Sequence, residues 1–81
     1  MKFIAEVKIM PLKDLLDPQG KAVMSGLQKL GISINDVRIG KHIDLQIEAE
    51  SEAQAREIAE NAARKLLANQ VMETFAVSIL T

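Results

Sequence analysis

The chain is 81 residues long, enough for one domain and too short for two. Lys and Arg number 10 against 11 Asp and Glu, a formal net charge of −1, and no stretch collects the one-sign surface that duplex nucleic acid demands. Cysteine is absent, which excludes disulfides, thiolate metal sites and a thiol nucleophile.

Residues Lys2 to Ile9 alternate, with Phe3, Ala5, Val7 and Ile9 on one side and Lys2, Glu6 and Lys8 on the other. Period two over this length predicts a half-buried strand, ended by Pro11. Glu6 and Lys8 also interrupt any signal-peptide core, and no apolar run approaches the ~18 residues that span a bilayer. Leu12 to Leu16 is a connection without clear pattern. Asp17-Pro18-Gln19-Gly20 reads as a helix start, with Asp17 as N-cap and Pro18 at the first helical position. Val23, Gly26, Leu27 and Leu30 come next at helical spacing, and Gly31 suits the left-handed C-cap. Gly26 is expected at a close approach to the sheet.

Val37 and Ile39 alternate with Arg38, and Ile43, Leu45, Ile47 and Ala49 alternate with Asp44, Gln46 and Glu48. Parity predicts a hairpin pairing Ile39 with Ile43 across Gly40-Lys41-His42, with Gly40 supplying an unusual dihedral. Ser51 and Gln54 form a capping-box pattern at the start of a second helix. Ala55, Ile58, Ala59, Ala62 and Leu66 are its expected apolar stripe, and Glu52–Arg56 and Glu60–Arg64 its solvated i,i+4 pairs. Asn69 ends the helix. Phe75, Val77 and Ile79 then alternate with Thr74, Ala76 and Ser78 in a last strand.

The predicted architecture is therefore α+β: a ferredoxin-like β-α-β-β-α-β chain, with a four-stranded antiparallel sheet and two helices on one face. Residues 1–81 form a single domain. The core should contain Val23, Leu27, Ile58, Ala62 and Leu66. The opposite sheet face carries Ile4, Ala76 and Leu80 among Glu6, Arg38, Asp44, Gln46 and Ser78. A chain this short buries only about 60–65% of its unfolded surface and has two Phe as its only aromatic residues. That margin and the apolar spots on the open face point to oligomerisation.

Catalytic chemistry finds little support. His42, the only histidine, sits beside a turn glycine, where an exposed turn residue is the ordinary reading; a metal role needs partners. Asp44, Glu48 and Glu50 read as solvated strand charge rather than an acid/base pair. Arg38, Lys41 and the Gly40 amide can form a small anion site, but Arg38 paired with a carboxylate is preferred. The glycines lack phosphate-loop spacing. Phe3 and Phe75 face the helices, so single-stranded RNA has no stacking platform. A copper-chaperone reading lacks its cysteine pair, and an acylphosphatase reading lacks its arginine-bearing loop.

Three segments go beyond fold-level pattern: Asp17-Pro18-Gln19-Gly20-Lys21-Ala22-Val23, Asp36-Val37-Arg38-Ile39-Gly40-Lys41, and Lys65-Leu66-Leu67-Ala68-Asn69 with Val71 and Glu73. Together they resemble the small PurS subunit of phosphoribosylformylglycinamidine synthase, from about Lys2 to Ile79. The Leu30 to Asn35 connection is slightly shorter than usual in that family.

The resemblance implies a cytoplasmic, non-catalytic subunit that bridges a glutaminase subunit and a large synthetase subunit and supports ammonia transfer in purine biosynthesis. It implies a homodimer or homotetramer, with no nucleic acid or membrane partner. ATP, Mg and glutamine would be used by the complex, with no cofactor or metal bound by this subunit and no catalytic residues in it. Subunit contacts are expected at the protruding polar turns, at Asp17, Pro18, Gln19 and Gly20 and at Arg38, Gly40 and Lys41. Two other classes stay open on the residues alone: a regulatory module of the same topology that binds a small molecule, and a stand-alone hydrolase.

Overall fold

The computed structural model describes Met1 to Leu80. Strand β1 (Lys2–Pro11) is followed by helix α1 (Pro18–Lys29), strand β2 (Lys41–Glu48), helix α2 (Glu52–Ala62) with a π-helical last turn (Ala63–Leu67), and strand β3 (Glu73–Leu80). The sheet is three-stranded and antiparallel in the order β2-β1-β3.

This corrects the predicted four-stranded sheet. Val37 and Ile39 form no strand, and the expected hairpin pairing Ile39 with Ile43 does not exist. The amide of Ile39 is donated instead to the Asp17 carboxylate, at 2.9 Å, and the Arg38 guanidinium donates to the carbonyl of Pro11. Alternation over three residues is too short to hold a strand once the Ile39 amide is claimed elsewhere. The segment crosses the end of β1, and β2 begins only at Lys41, paired with Ile9.

β1 is the central strand, and its predicted face is the core. Phe3, Ala5, Val7 and Ile9 are buried, flanked by Ile43, Leu45 and Ile47 of β2 and Phe75, Val77 and Ile79 of β3. Helix α2 covers this face through Ala55, Ala59 and Ala63, all fully buried. Alanine at i, i+4 and i+8 puts one small-residue stripe against the sheet. Ile58, expected in the core, is 42% exposed beside this stripe. Arg56 forms no pair with Glu52; it is half-buried and donates to the Val77 carbonyl at 2.8 Å.

The π turn explains a second correction. The amide of Ala68 bonds the carbonyl of Ala63, five residues back, at 2.9 Å. One extra residue in a turn shifts the helical phase of the side chains after it. Leu66 is rotated outward to 83% exposure, and Leu67 and Ala68 pack inward.

Helix α1 caps as predicted. Asp17 accepts from the Gly20 amide at 3.0 Å. At the other end Gly31, with φ 81°, closes a Schellman motif: Ile32 N–H bonds Leu27 and Gly31 N–H bonds Gln28. The helix does not lie on the sheet, however. Gly20 is its only buried residue; Val23 is exposed, Leu27 half-exposed, and a Cβ on Gly26 would meet nothing. The close approach belongs to Gly20, where a Cβ would collide with the Val37 carbonyl. With one helix off the sheet the molecule is thin and long, 50 × 26 × 14 Å.

Candidate functional site

Most of the residues singled out at the two turns meet at one end of β1. Both oxygens of Asp17 are occupied: Oδ1 accepts the Gly20 amide at 3.0 Å and Oδ2 the Ile39 amide at 2.9 Å. These bonds hold its carboxyl below the usual Asp range, Gly20 contributing most and Ile39 next. Asp17 therefore ties the start of α1 to the 37–40 segment. Gly40 lies against the Ile9 carbonyl and Met10, where a side chain would not fit. Among the described residues Arg38 forms no ion pair with a carboxylate; its bond to Pro11 clamps the same segment to the end of β1.

Pro18 and Gln19 are exposed on the first turn of α1. Lys41 lies apart from Arg38 and forms an ion pair of 3.4 Å with Glu73. Glu73 also accepts the Asn69 amide at 2.8 Å, and that bond, ahead of Lys41, holds its carboxyl low. Arg38 and Lys41 thus serve different neighbours and do not converge on one anion.

Two clefts open at this end. The first, about 680 Å³, is lined by Pro11, Leu12, Leu15, Leu16 and Val37, with Lys13, Lys21 and Arg38 set among Asp14, Asp17 and Asp36. The second, about 350 Å³, shares Pro11, Leu15 and Leu16 and adds Lys41, Met72 and Glu73. Leu16, 69% exposed, and Leu15 are common to both. Sequence reading missed this apolar ridge because the 12–16 connection has no period; the adjacent Leu15-Leu16 pair in a loop was the available signal. The Leu12 amide, bonded to the Met72 carbonyl at 2.9 Å, anchors the loop.

The single imidazole is better surrounded than a turn position implies. His42 lies within β2, and its Nε2 is 2.7 Å from Asp44 Oδ1 and 3.7 Å from Glu6 Oε2. Alternation alone puts His42 and Asp44 on one face; Glu6 joins them only through the β1–β2 register. Among the described residues, no helix is long and apolar enough to cross a membrane.

Comparison with known proteins bears on this geometry directly. The family model described as PurS, phosphoribosylformylglycinamidine (FGAM) synthase, matches residues 4–81. The chain belongs to the PurS family. A PurS subunit of Synechocystis is 47% identical over 66 residues, which are 80% of this chain and 66% of that protein. The solved PurS of Thermus thermophilus superposes with a TM-score of 0.92 at 36% identity, covering 100% of this chain and 98% of the other. A PurS-like chain in the PurLQS structure from Thermotoga maritima gives 0.92 at 31% identity, covering 99% of each. The three-stranded sheet and projecting α1 are thus the architecture of this PurS chain. PurS chains are subunits of FGAM synthase in purine biosynthesis.

Proposed function

We propose that this chain is the non-catalytic bridging subunit of FGAM synthase in the cytoplasm. It holds a glutaminase subunit and a large ATP-dependent synthetase subunit in register, so that ammonia passes between them without escaping to water. Those partners consume ATP and glutamine and use Mg.

The likeness to a chain of the PurLQS structure carries the reading. The shape supports it. A chain of 81 residues packed to ordinary density has a radius of gyration of about 12 Å; this one has 15.9 Å. Its surface is disposed at the ends, with the Leu15–Leu16 ridge, Pro18, Gln19 and Lys41 forming one contact face, shaped by Asp17, Gly20, Arg38 and Gly40 behind it.

A second copy of the chain completes the proposal, as a homodimer or homotetramer. Helix α1 leaves Val23 and Leu30 in solvent, and Ile4 and Leu80, opposite each other in the register, are exposed on the open sheet face. Of the two sheet edges, β2 carries Lys41, His42, Asp44 and Glu48, whereas β3 has no charge from Thr74 to Leu80. An uncharged edge is the one disposed to pair.

Reconstitution with the two partner subunits tests the reading. Glutamine-dependent synthesis should require this chain, while synthesis from added ammonia by the synthetase subunit should not. Full glutamine-dependent activity without the chain would overturn the proposal.

A further inference from the structure

Beside Ile4 and Leu80, which the proposal offers to a second copy, the open face of the sheet carries a cluster of ligating groups among the described residues that the bridging role does not use. Glu6 and Asp44 are directly opposed in the β1–β2 register. Two carboxylates facing each other across a strand pair repel. His42, two residues before Asp44 on the same face, brings its imidazole between them, and one ligating atom from each lies within 4.8 Å of the others.

We propose that Glu6, His42 and Asp44 bind a divalent transition-metal cation of the zinc class. Four-coordinate zinc with bonds of 2.0–2.1 Å places its ligand atoms about 3.3 Å apart. The two distances from His42 Nε2, 2.7 Å and 3.7 Å, bracket that value. The ligand atoms need move only by side-chain rotation, because the eight paired positions of β1 and β2 fix the backbone that carries them. A mixed imidazole and carboxylate set suits zinc, cobalt or nickel, whereas magnesium and calcium prefer oxygen throughout. Three protein ligands leave a fourth position facing outward from the sheet, open to water.

One neighbour opposes binding. Lys8 is the partner of His42 in the register and lies on the same face, so its ammonium repels the cation. The patch is therefore built from two carboxylates and one imidazole against one lysine. Removing that lysine should tighten the site, which a nonspecific zinc-adsorbing surface has no reason to do at one position only.

The full chain, free of any polyhistidine tag, provides a clean test because it contains one histidine. Zinc chloride is titrated while the imidazole C–H signals are followed by nuclear magnetic resonance, with calorimetry for stoichiometry. One zinc per chain and a shift of the His42 signals are expected, with no shift for magnesium. Glu6→Gln and Asp44→Asn should each weaken binding about tenfold or more, His42→Ala should abolish the one-per-chain event, and Lys8→Ala should tighten it several-fold. These side chains are half-buried or exposed, and circular dichroism verifies that each variant folds. Undisturbed imidazole signals in millimolar zinc would overturn the proposal. So would Glu6→Gln and Asp44→Asn variants that bind zinc as the unaltered chain does, or an equal response to magnesium.

Discussion

Asp17 and Ile39, 22 positions apart, are joined by a 2.9 Å hydrogen bond from the Ile39 amide to the Asp17 carboxylate. The same side chain caps α1 through the Gly20 amide. One residue thus starts a helix and denies the 37–40 segment its place in the sheet. Asp17→Ala should lower the melting temperature. Asp17→Asn should lower it less, because an amide oxygen can still accept one of the two bonds while its NH₂ group faces the other donor.

The pH dependence of that stabilisation has a definite sign. The Asp17 carboxyl is held below its ordinary value in the folded chain. Its contribution is complete above the unfolded Asp value of about 3.9 and disappears as pH falls through the lower folded value. The melting difference between the unaltered chain and Asp17→Asn should therefore shrink on acidification below about pH 4. A difference that stays constant into that range would show that the ionised carboxylate is not what holds the two segments.

Leu66 and Leu67 should respond in opposite ways to the pattern a regular helix implies. Leu66→Ala should change stability by less than about 0.5 kcal/mol, and Leu67→Ala should cost about 2 kcal/mol. Urea denaturation of the two variants decides it, and a larger loss at Leu66 would argue against the π turn.

Ala59 is fully buried between α2 and the sheet. Ala59→Leu adds volume where a small residue permits the helix to approach, and should cost about 1–3 kcal/mol. Arg56, which donates to Val77, should show a loss of about 1 kcal/mol on replacement by Met, read from the same denaturation curves.

Lys41 and Gln19 are exposed, and the proposed contact face can be probed there without disturbing the fold. Gln19→Ala should melt as the unaltered chain does; Lys41→Ala loses its ion pair with Glu73 and should melt only slightly lower. Both should co-purify less efficiently with the glutaminase and synthetase subunits. Arg38→Ala is a poorer probe, because it also releases the clamp on Pro11.

The parts of the fold legible in the sequence are those decided locally. Two-residue alternation in β1, β2 and β3 identified the faces that became the core, since a strand's faces are set by its own pleat. Asp17, Pro18 and Gly31 marked the ends of α1 because capping is settled within a turn. Ser51 accepts from the Gln54 amide as expected, although Gln54 Oε1 accepts from the Glu50 amide rather than from Ser51. The turn residues of the candidate site were also legible, as motif residues, but not their division of labour: Asp17, Gly20, Arg38 and Gly40 hold the tip together, and Pro18, Gln19 and Lys41 are presented on it.

Faces, caps and apolar positions can be read from the residues in order, as can the family resemblance that rests on three short segments. Which partner each group takes was settled in three dimensions. Val37 and Ile39 alternate like a strand, yet the Ile39 donor goes to a distant carboxylate. Leu66 has the spacing of a core residue, yet a single five-residue bond rotates it into solvent. Val23 and Leu27 form an apolar face that this chain leaves uncovered. The physical reason is common to all three. Periodicity records what a segment could bury or pair, while competition among distant donors, acceptors and surfaces selects what it does.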